Sequence, residues 1–270
     1  MPHDVLGVAV AQFAPGTDTS ANLQTIGRLT RTAVERGARL VVFPEYSAFF
    51  SAPIDETWLE AAEDLDGEFV TGLAAVAQDQ GVHLVAGMIE RAPDGRFFNT
   101  LVAVNPSGDV VAVYRKIHLY DAFGQKESEF VAPGPIEDPI VFDVQGVPVA
   151  MQTCYDIRFP EVSRRLAEAG AQLIALPAEW VRGPLKEYHW RTLVTARAIE
   201  NTVYFAAADQ APPIGVGNSM IVDPMGIELA TIGEIEDVAV SWVSRGRVRA
   251  VREVNPALAL RRFDIVPRTR

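Results

Sequence analysis

Two short apolar phrases, half the chain apart, leave this sequence few ways to fold. Gly37-Ala38-Arg39-Leu40-Val41-Val42-Phe43-Pro44 is echoed by Gly170-Ala171-Gln172-Leu173-Ile174-Ala175-Leu176-Pro177, and Gly81-Val82-His83-Leu84-Val85-Ala86-Gly87 repeats the theme. In each, a helical stretch ends at a glycine and a run with no polar face follows. A strand that is apolar on both faces must be covered on both, which a sheet open to water on one side does not achieve. Helices layered on sheets do achieve it. The repeat is far too long for a solenoid, and no Pro-, Gly- or Ser-rich linker divides the halves. A single domain over residues 1–270, built of two similar halves, is therefore expected.

The remaining pattern fits that scheme. Residues 5–13 read as a first strand. Residues 20–36 read as an amphipathic helix with Leu23, Ile26, Leu29, Ala33 and Val34 at helical spacing, Ser20 or Asn22 as its cap and Gly37 as its stop. Residues 68–80, 162–169 and 190–200 read as helices, and 40–43, 82–88, 173–176, 203–208, 219–222 and 239–243 as strands. Residues 99–104 and 110–116 flank Asn105-Pro106-Ser107-Gly108-Asp109, while 140–144 and 147–152 flank Gln145-Gly146, both hairpin signals. The basic tail after Arg245 reads as a helix and a last edge strand.

Cys154 is the single cysteine, set between a strand and the helix that opens at Phe159-Pro160-Glu161. A strand-to-helix turn projects its residue from the sheet edge and aims backbone N–H groups outward. The glycines of a G-x-S-x-G elbow are absent. Position alone leaves two readings level, a nucleophile and a buried apolar thiol. Glu45 follows the buried strand 40–43, at the carboxyl end where α/β sheets collect their ligands. Its neighbours Phe43, Pro44, Tyr46, Phe49 and Phe50 would raise a carboxylate pKa and improve a base, whereas a lone loop glutamate would be solvated.

Strand alternation puts Ala112, Tyr114 and Lys116 on one face and Val111, Val113 and Arg115 on the other. Lys116 reads either as an edge-strand lysine or as a cation beside a carboxylate and a thiol. Glu127, in Gly124-Gln125-Lys126-Glu127-Ser128, reads by itself as surface. His118 and His189 are candidate partners for a Cys–His arrangement, or structural residues. Arg158 beside the nucleophile suits bidentate reading of a carboxylate, or a surface ion pair; Trp180 suits a pocket wall, or the core.

Composition removes several function classes. The hydrophobic fraction of 49 % supports a sizeable core, and 22 % charged residues argue against disorder. With 24 basic against 35 acidic residues, the net charge of −11 would repel nucleic-acid phosphates and an anionic membrane surface, so neither is an expected partner. No apolar run is long enough to span a bilayer. The start MPHDVLGVAVAQF has no basic n-region or small-residue cleavage site, so a cytoplasmic location is expected. One cysteine makes no internal disulfide, and with four histidines it shows no zinc spacing, so no metal or cofactor is expected.

Three segments, Val42-Phe43-Pro44-Glu45, Tyr114-Arg115-Lys116-Ile117-His118-Leu119 and Thr153-Cys154-Tyr155-Asp156-Ile157-Arg158-Phe159-Pro160-Glu161, together resemble the nitrilase superfamily of carbon–nitrogen hydrolases in order and spacing. The likeness continues through Leu176-Pro177-Ala178-Glu179-Trp180, Arg197-Ala198-Ile199-Glu200-Asn201 and Asn218-Ser219-Met220-Ile221-Val222-Asp223-Pro224, nearly the whole chain. The resemblance implies an α/β fold, a four-layer αββα sandwich of two mixed sheets flanked by helices. It implies Glu45 as base, Lys116 as electrostatic partner and Cys154 as nucleophile. Glu127 is the implied fourth residue, with Glu129 as the competing assignment. Lys116 and the backbone N–H of Tyr155 would hold the oxyanion.

Cys154-Tyr155-Asp156 differs from the Cys-Trp-Glu of true nitrilases and is similar to the Nit-type amidases, among them omega-amidases and amidases of deaminated glutathione. His118-Leu119-Tyr120-Asp121-Ala122-Phe123-Gly124 fits the same group. The implied reaction is hydrolysis of the amide of a small carboxylic acid to acid and ammonia through a cysteine thioester, with Tyr120, Arg158 and Trp180 touching the substrate. Family members dimerise and some assemble further, so a homodimer or higher homo-oligomer is implied, with the tail after Arg245 as a contact. The alternatives are an N-carbamoyl amino acid hydrolase, a nitrilase or an acyltransferase using the same triad. Outside enzymes, they are a thiol redox sensor that needs only Cys154 and a silent scaffold that needs none of the three.

Overall fold

The computed structural model describes residues 5–268; residues 1–4 and 269–270, the ends of the expected single-domain span, lie outside the described residues. In chain order the elements are β1 (Val5–Gln12), α1 (Thr19–Glu35), β2 (Leu40–Val42), α2 (Glu56–Glu60), α3 (Glu68–Gln80), β3 (His83–Arg91), β4 (Phe97–Val104) and β5 (Val110–Arg115). The second half follows with β6 (Phe142–Val144), β7 (Val147–Met151), α4 (Pro160–Glu168), β8 (Leu173–Ala178), α5 (Lys186–Asn201), β9 (Tyr204–Asp209), β10 (Met220–Val222), β11 (Glu228–Thr231), β12 (Asp237–Ser244) and α6 (Arg245–Val254).

The strands form two six-stranded sheets, ordered β12-β1-β2-β3-β4-β5 and β11-β10-β9-β8-β7-β6. Each has a parallel centre, β1-β2-β3 or β7-β8-β9, with antiparallel strands outside it. The echoed phrases become β2 and β8, interior parallel strands of the two sheets.

Three apolar layers explain why those strands carry no polar face. Leu6, Val8, Leu40 and Val42 meet Val149, Leu173, Ala175 and Ala206 between the sheets. On the outer face of the first sheet, Ala9, Val41 and Leu84 lie under Ile26 and Leu29 of α1 and Phe69 and Leu73 of α3. On the outer face of the second, Ile174, Leu176 and Phe205 lie under Leu166 of α4 and Trp190 and Val194 of α5. Helix, sheet, sheet, helix is the four-layer αββα order. Each fully buried Leu, Val or Phe contributes roughly 1.5–3 kcal/mol of hydrophobic stabilisation.

The structure corrects several boundaries. The cap of α1 is Asp18, whose carboxylate accepts the Ala21 N–H at 3.0 Å, rather than Ser20 or Asn22. Asn22 is buried instead, donating to the carbonyls of Gly16 (2.8 Å) and Ala48 (2.9 Å). α5 starts one turn earlier than expected, at Lys186. The tail contains the expected helix, α6, but no edge strand: residues 255–268 carry none. Pro256 and Pro267 remove ladder donors there, and Leu260, Phe263 and Val266 are exposed. No helix among the described residues is long and apolar enough to cross a membrane.

Candidate active site

Loops leaving four strands converge at one end of the sandwich. Glu45 lies just beyond β2, Lys116 beyond β5, Cys154 beyond β7 and Glu179 beyond β8. Lys116 donates its backbone N–H to the carbonyl of Asn99 (2.9 Å), so the β4–β5 ladder fixes Lys116 opposite Asn99. The side chains then form one network. Lys116 Nζ lies 3.0 Å from Glu45 Oε1 and 3.0 Å from Glu127. Asn99 Nδ2 donates to Glu45 Oε1 (2.6 Å) and Glu127 Oε1 (3.2 Å). Tyr46 Oη donates to Glu127 Oε1 (2.8 Å), the Tyr120 N–H to Glu127 Oε2 (2.5 Å), and the Glu179 N–H to Glu45 Oε2 (2.6 Å).

Glu45, Lys116 and Glu127 are 1 %, 2 % and 6 % exposed, so their charges interact with little screening. Burial raises the Glu45 carboxyl above its usual range, and Glu127 adds to that, while Lys116 works against it. Burial disfavours the Lys116 ammonium, but Glu127 and Glu45 outweigh it and hold the lysine charged well above its ordinary range. Burial, reinforced by Glu45, pushes the Cys154 thiol well above its ordinary value. The resting sulfur is thus a protonated thiol beside a candidate base, rather than a free thiolate.

Cys154 opens a 3-10 turn, Cys154–Arg158, that runs into α4. Its φ of 38° is left-handed, a strained conformation for a residue with a side chain, and it lifts the residue off the end of β7. Sγ lies 3.5 Å from the carbonyl oxygen of Glu179. The turn is clamped from behind by Asp156, which accepts from the Thr153 N–H (3.2 Å), Tyr114 Oη (2.6 Å) and the His118 N–H (3.1 Å). Tyr155, second in the turn, presents one of the N–H groups that a helix start leaves without an internal acceptor.

The two histidines go elsewhere. His118 Nδ1 is 2.8 Å from Asp156 Oδ1 and its ring stacks on Phe159, while His189 Nδ1 is 3.5 Å from Arg158. No hydrogen bond joins either to Cys154 among the described residues. Glu129 pairs with Lys126 in solvent at 3.1 Å, whereas Glu127 turns inward.

Beside the thiol stands an aromatic wall. Tyr120 and Tyr155 meet edge to face at 5.0 Å, and Trp180 tilts against Trp190 at 5.4 Å. Arg158 lies over Trp180 at 4.7 Å and over Phe123 at 5.5 Å. Lys186 donates to Tyr120 Oη at 2.7 Å. Burial, reinforced by Cys154, pushes the Tyr120 phenol up to about 12, so it stays a neutral hydrogen-bonding group.

Sequence reasoning missed Asn99, Tyr46, Glu179 and Lys186. Asn99 did leave a signal, as a polar residue within an apolar strand. Among the described residues no group of three or more His, Cys, Asp or Glu side chains is arranged to hold a metal ion.

The family model for carbon–nitrogen hydrolases matches residues 7–253. A hydrolase of Mycobacterium tuberculosis is 40 % identical, over 91 % of this chain and 92 % of its own length. The deaminated glutathione amidase of Escherichia coli O157:H7 is 38 % identical, over 95 % and 97 %. An omega-amidase of Xenopus laevis is 33 % identical, over 96 % and 95 %. Among solved structures, a glutamate-to-glutamine variant of the amidase from Nesterenkonia sp. AN1 superposes with a TM-score of 0.80 at 26 % identity, covering 97 % of this chain and 95 % of that one. It shows covalent addition of the acetamide moiety of fluoroacetamide at the active-site cysteine. With its two mixed sheets between helices and its match along almost the whole chain, this protein belongs to the carbon–nitrogen hydrolase family and is an enzyme of its amidase kind.

Proposed function

We propose that this chain, as one domain over residues 1–270, hydrolyses the amide of a small carboxylic acid to acid and ammonia, with Glu45, Lys116 and Cys154 as its triad. One observation carries the reading: a buried lysine held at 3.0 Å by two buried carboxylates, one of them at the carboxyl end of β2, beside the buried thiol of Cys154 at the end of β7. A redox sensor or a scaffold has no use for that network, which is costly to bury.

The steps follow from the protonation states. Sγ adds to the amide carbon as the S–H proton passes to Glu45. The oxyanion is held by Lys116 Nζ and the Tyr155 N–H. Collapse breaks the C–N bond; the nitrogen takes the proton from Glu45 and leaves as ammonia, with the acyl group on sulfur as a thioester. Glu45 then takes a proton from water as the hydroxide adds to the thioester carbon. The acid departs and the proton returns to Cys154. Glu127, fixed by Asn99, Tyr46 and the Tyr120 N–H, positions Lys116. Tyr120, Arg158 and Trp180 wall the space that the acyl part fills.

The relatives from Escherichia coli and Xenopus laevis are both amidases, which favours an amide over a nitrile or an N-carbamoyl substrate. A homodimer or higher homo-oligomer in the cytoplasm completes the proposal, with the exposed Leu260, Phe263 and Val266 of the tail as contact residues. The test is ammonia release from a panel of short primary amides by the wild type and by Cys154→Ala. Release that depends on Cys154 is expected; an equally active Cys154→Ala protein would refute the proposal.

A further inference from the structure

One face of α6 gathers positive charge that the fold leaves uncompensated. Arg245, Arg249 and Arg252 stand at i, i+4 and i+7, so all three project from one side of the helix. They line a cleft of about 360 Å³ together with Val248, Gln172 and Glu253. Arg252 Nε donates to Thr202 Oγ1 (3.1 Å), which fixes the guanidinium, yet its Nη2 is buried with no hydrogen-bond partner. Gln172, which enters the lining from the residue before β8, likewise has a buried Oε1 with no partner. Arg245 reaches over the β6–β7 turn, where a Cβ placed at Gly146 would lie 3.8 Å from its Nη1.

Acids are plentiful in a chain of net charge −11, but they are not placed here. Arg247, on the far side of α6, is paired with Asp223 at 2.8 Å. Among the described residues, none of Arg245, Arg249 and Arg252 has a carboxylate within ion-pair distance. Like charges at i and i+4 repel, and burial works against the Arg252 charge with no acid to offset it. Three arginines against the exposed Glu253 leave the lining with a net charge of +2. An unpaired guanidinium N–H held away from water is unfavourable unless an acceptor joins it.

We propose that this cleft is a phosphate-binding site, held by Arg245, Arg249, Arg252 and the Gln172 amide. A phosphate group carries close to two negative charges near pH 7 and accepts hydrogen bonds in several directions. That suits three guanidinium groups and an amide, whereas a lone carboxylate is served by a single bidentate arginine. The ligand is free phosphate or a phosphate monoester. Gln172 and Thr202 stand at the amino ends of β8 and β9, while Glu45, Cys154 and Glu179 stand at the carboxyl ends of β2, β7 and β8. The length of β8, 6 residues or about 20 Å, lies between the two sets. The cleft is therefore at the opposite end of the sandwich from Cys154, and its ligand is not the amide that meets the thiol.

The test is titration calorimetry of the full chain, at fixed ionic strength in a chloride buffer, with inorganic phosphate and with ribose 5-phosphate. Binding of at least one of them, one per chain, is expected. Arg249→Gln, at an exposed position, and Arg252→Met should each weaken it roughly tenfold to a hundredfold, with circular dichroism as the control for folding. Arg247→Gln, on the other face of α6, should bind as wild type does. Tighter binding of ribose 5-phosphate supports the site with a monoester as its ligand, and tighter binding of inorganic phosphate supports it with free phosphate. No binding of either overturns the proposal. So does wild-type affinity in Arg249→Gln, which decides the matter if Arg252→Met does not fold. An equal loss in Arg247→Gln also overturns it, because the attraction would then be to a basic helix and not to this cleft.

Discussion

Gly87 offers a perturbation of the site from outside it. The residue lies in β3, beneath the turn that carries Glu45. Its N–H donates to the Pro44 carbonyl (3.2 Å) and its own carbonyl accepts the Ala48 N–H (3.1 Å). A Cβ at this position would lie 2.4 Å from the Tyr46 nitrogen and 2.9 Å from Glu45 Cα, where ordinary contact begins at 3.4 Å. All the obstructing atoms are backbone, so Gly87→Ala must push the Glu45–Tyr46 peptide away by about 1 Å. Glu45 is held by 2.6 Å bonds to Asn99 and to the Glu179 N–H, and neither survives such a shift intact. A misplacement of about 1 Å typically costs on the order of 10²-fold in rate. Overpacking adds roughly 1–3 kcal/mol of destabilisation, a fall of about 2–12 °C in Tm for a domain of this size. The assay is kcat/KM for ammonia release alongside a thermal melt. A folded Gly87→Ala protein with wild-type kcat/KM would refute the claim that this close approach sets the position of the base.

Three further expectations follow from the same geometry. Lys116→Ala should lower kcat roughly 10²–10³-fold in a protein that still folds, read by steady-state kinetics with circular dichroism as control; an active variant contradicts the role of the lysine. Because burial raises Glu45 above 4.5 and the base must be ionised to act, the acid limb of the kcat/KM–pH profile should have its midpoint above 4.5; a midpoint at or below that value contradicts the assignment. Glu179 is likewise raised in the folded state, so the stability it contributes is present below 4.5 and is lost as pH rises through its folded value. Glu179→Gln should therefore melt higher than wild type at alkaline pH and lose that advantage near pH 4.5, and a pH-independent difference would contradict this.

How much could be read in advance depended on whether a residue's role was local. β2 and β8 were legible because a run with no polar face has only one kind of place to go. Cys154 and Glu45 were legible as residues at strand ends, and Lys116 through its place at the end of a hairpin strand. Their convergence was legible only through the family resemblance, because it depends on two sheets packing face to face across long sequence separations. Asn99 joins Glu45 and Glu127 only through the β3–β4–β5 ladder. Lys186 meets Tyr120 only because α5 starts a turn early and leans over the loop after β5. Asn22 looked like a helix cap, yet its amide holds the Gly16 and Ala48 loops together while Asp18 caps the helix. The basic tail reads as ending in an edge strand, but its prolines deny it a ladder.

The central claim is that Cys154 carries the acyl group of a small amide. Acid-quenched intact-mass measurement of the wild type and of Glu45→Gln during incubation with the preferred amide tests it. A mass gain equal to the amide less ammonia is expected, mapped to the peptide containing Cys154 and absent from Cys154→Ala. Steady ammonia release with no adduct on either protein, or the same adduct in Cys154→Ala, would contradict it.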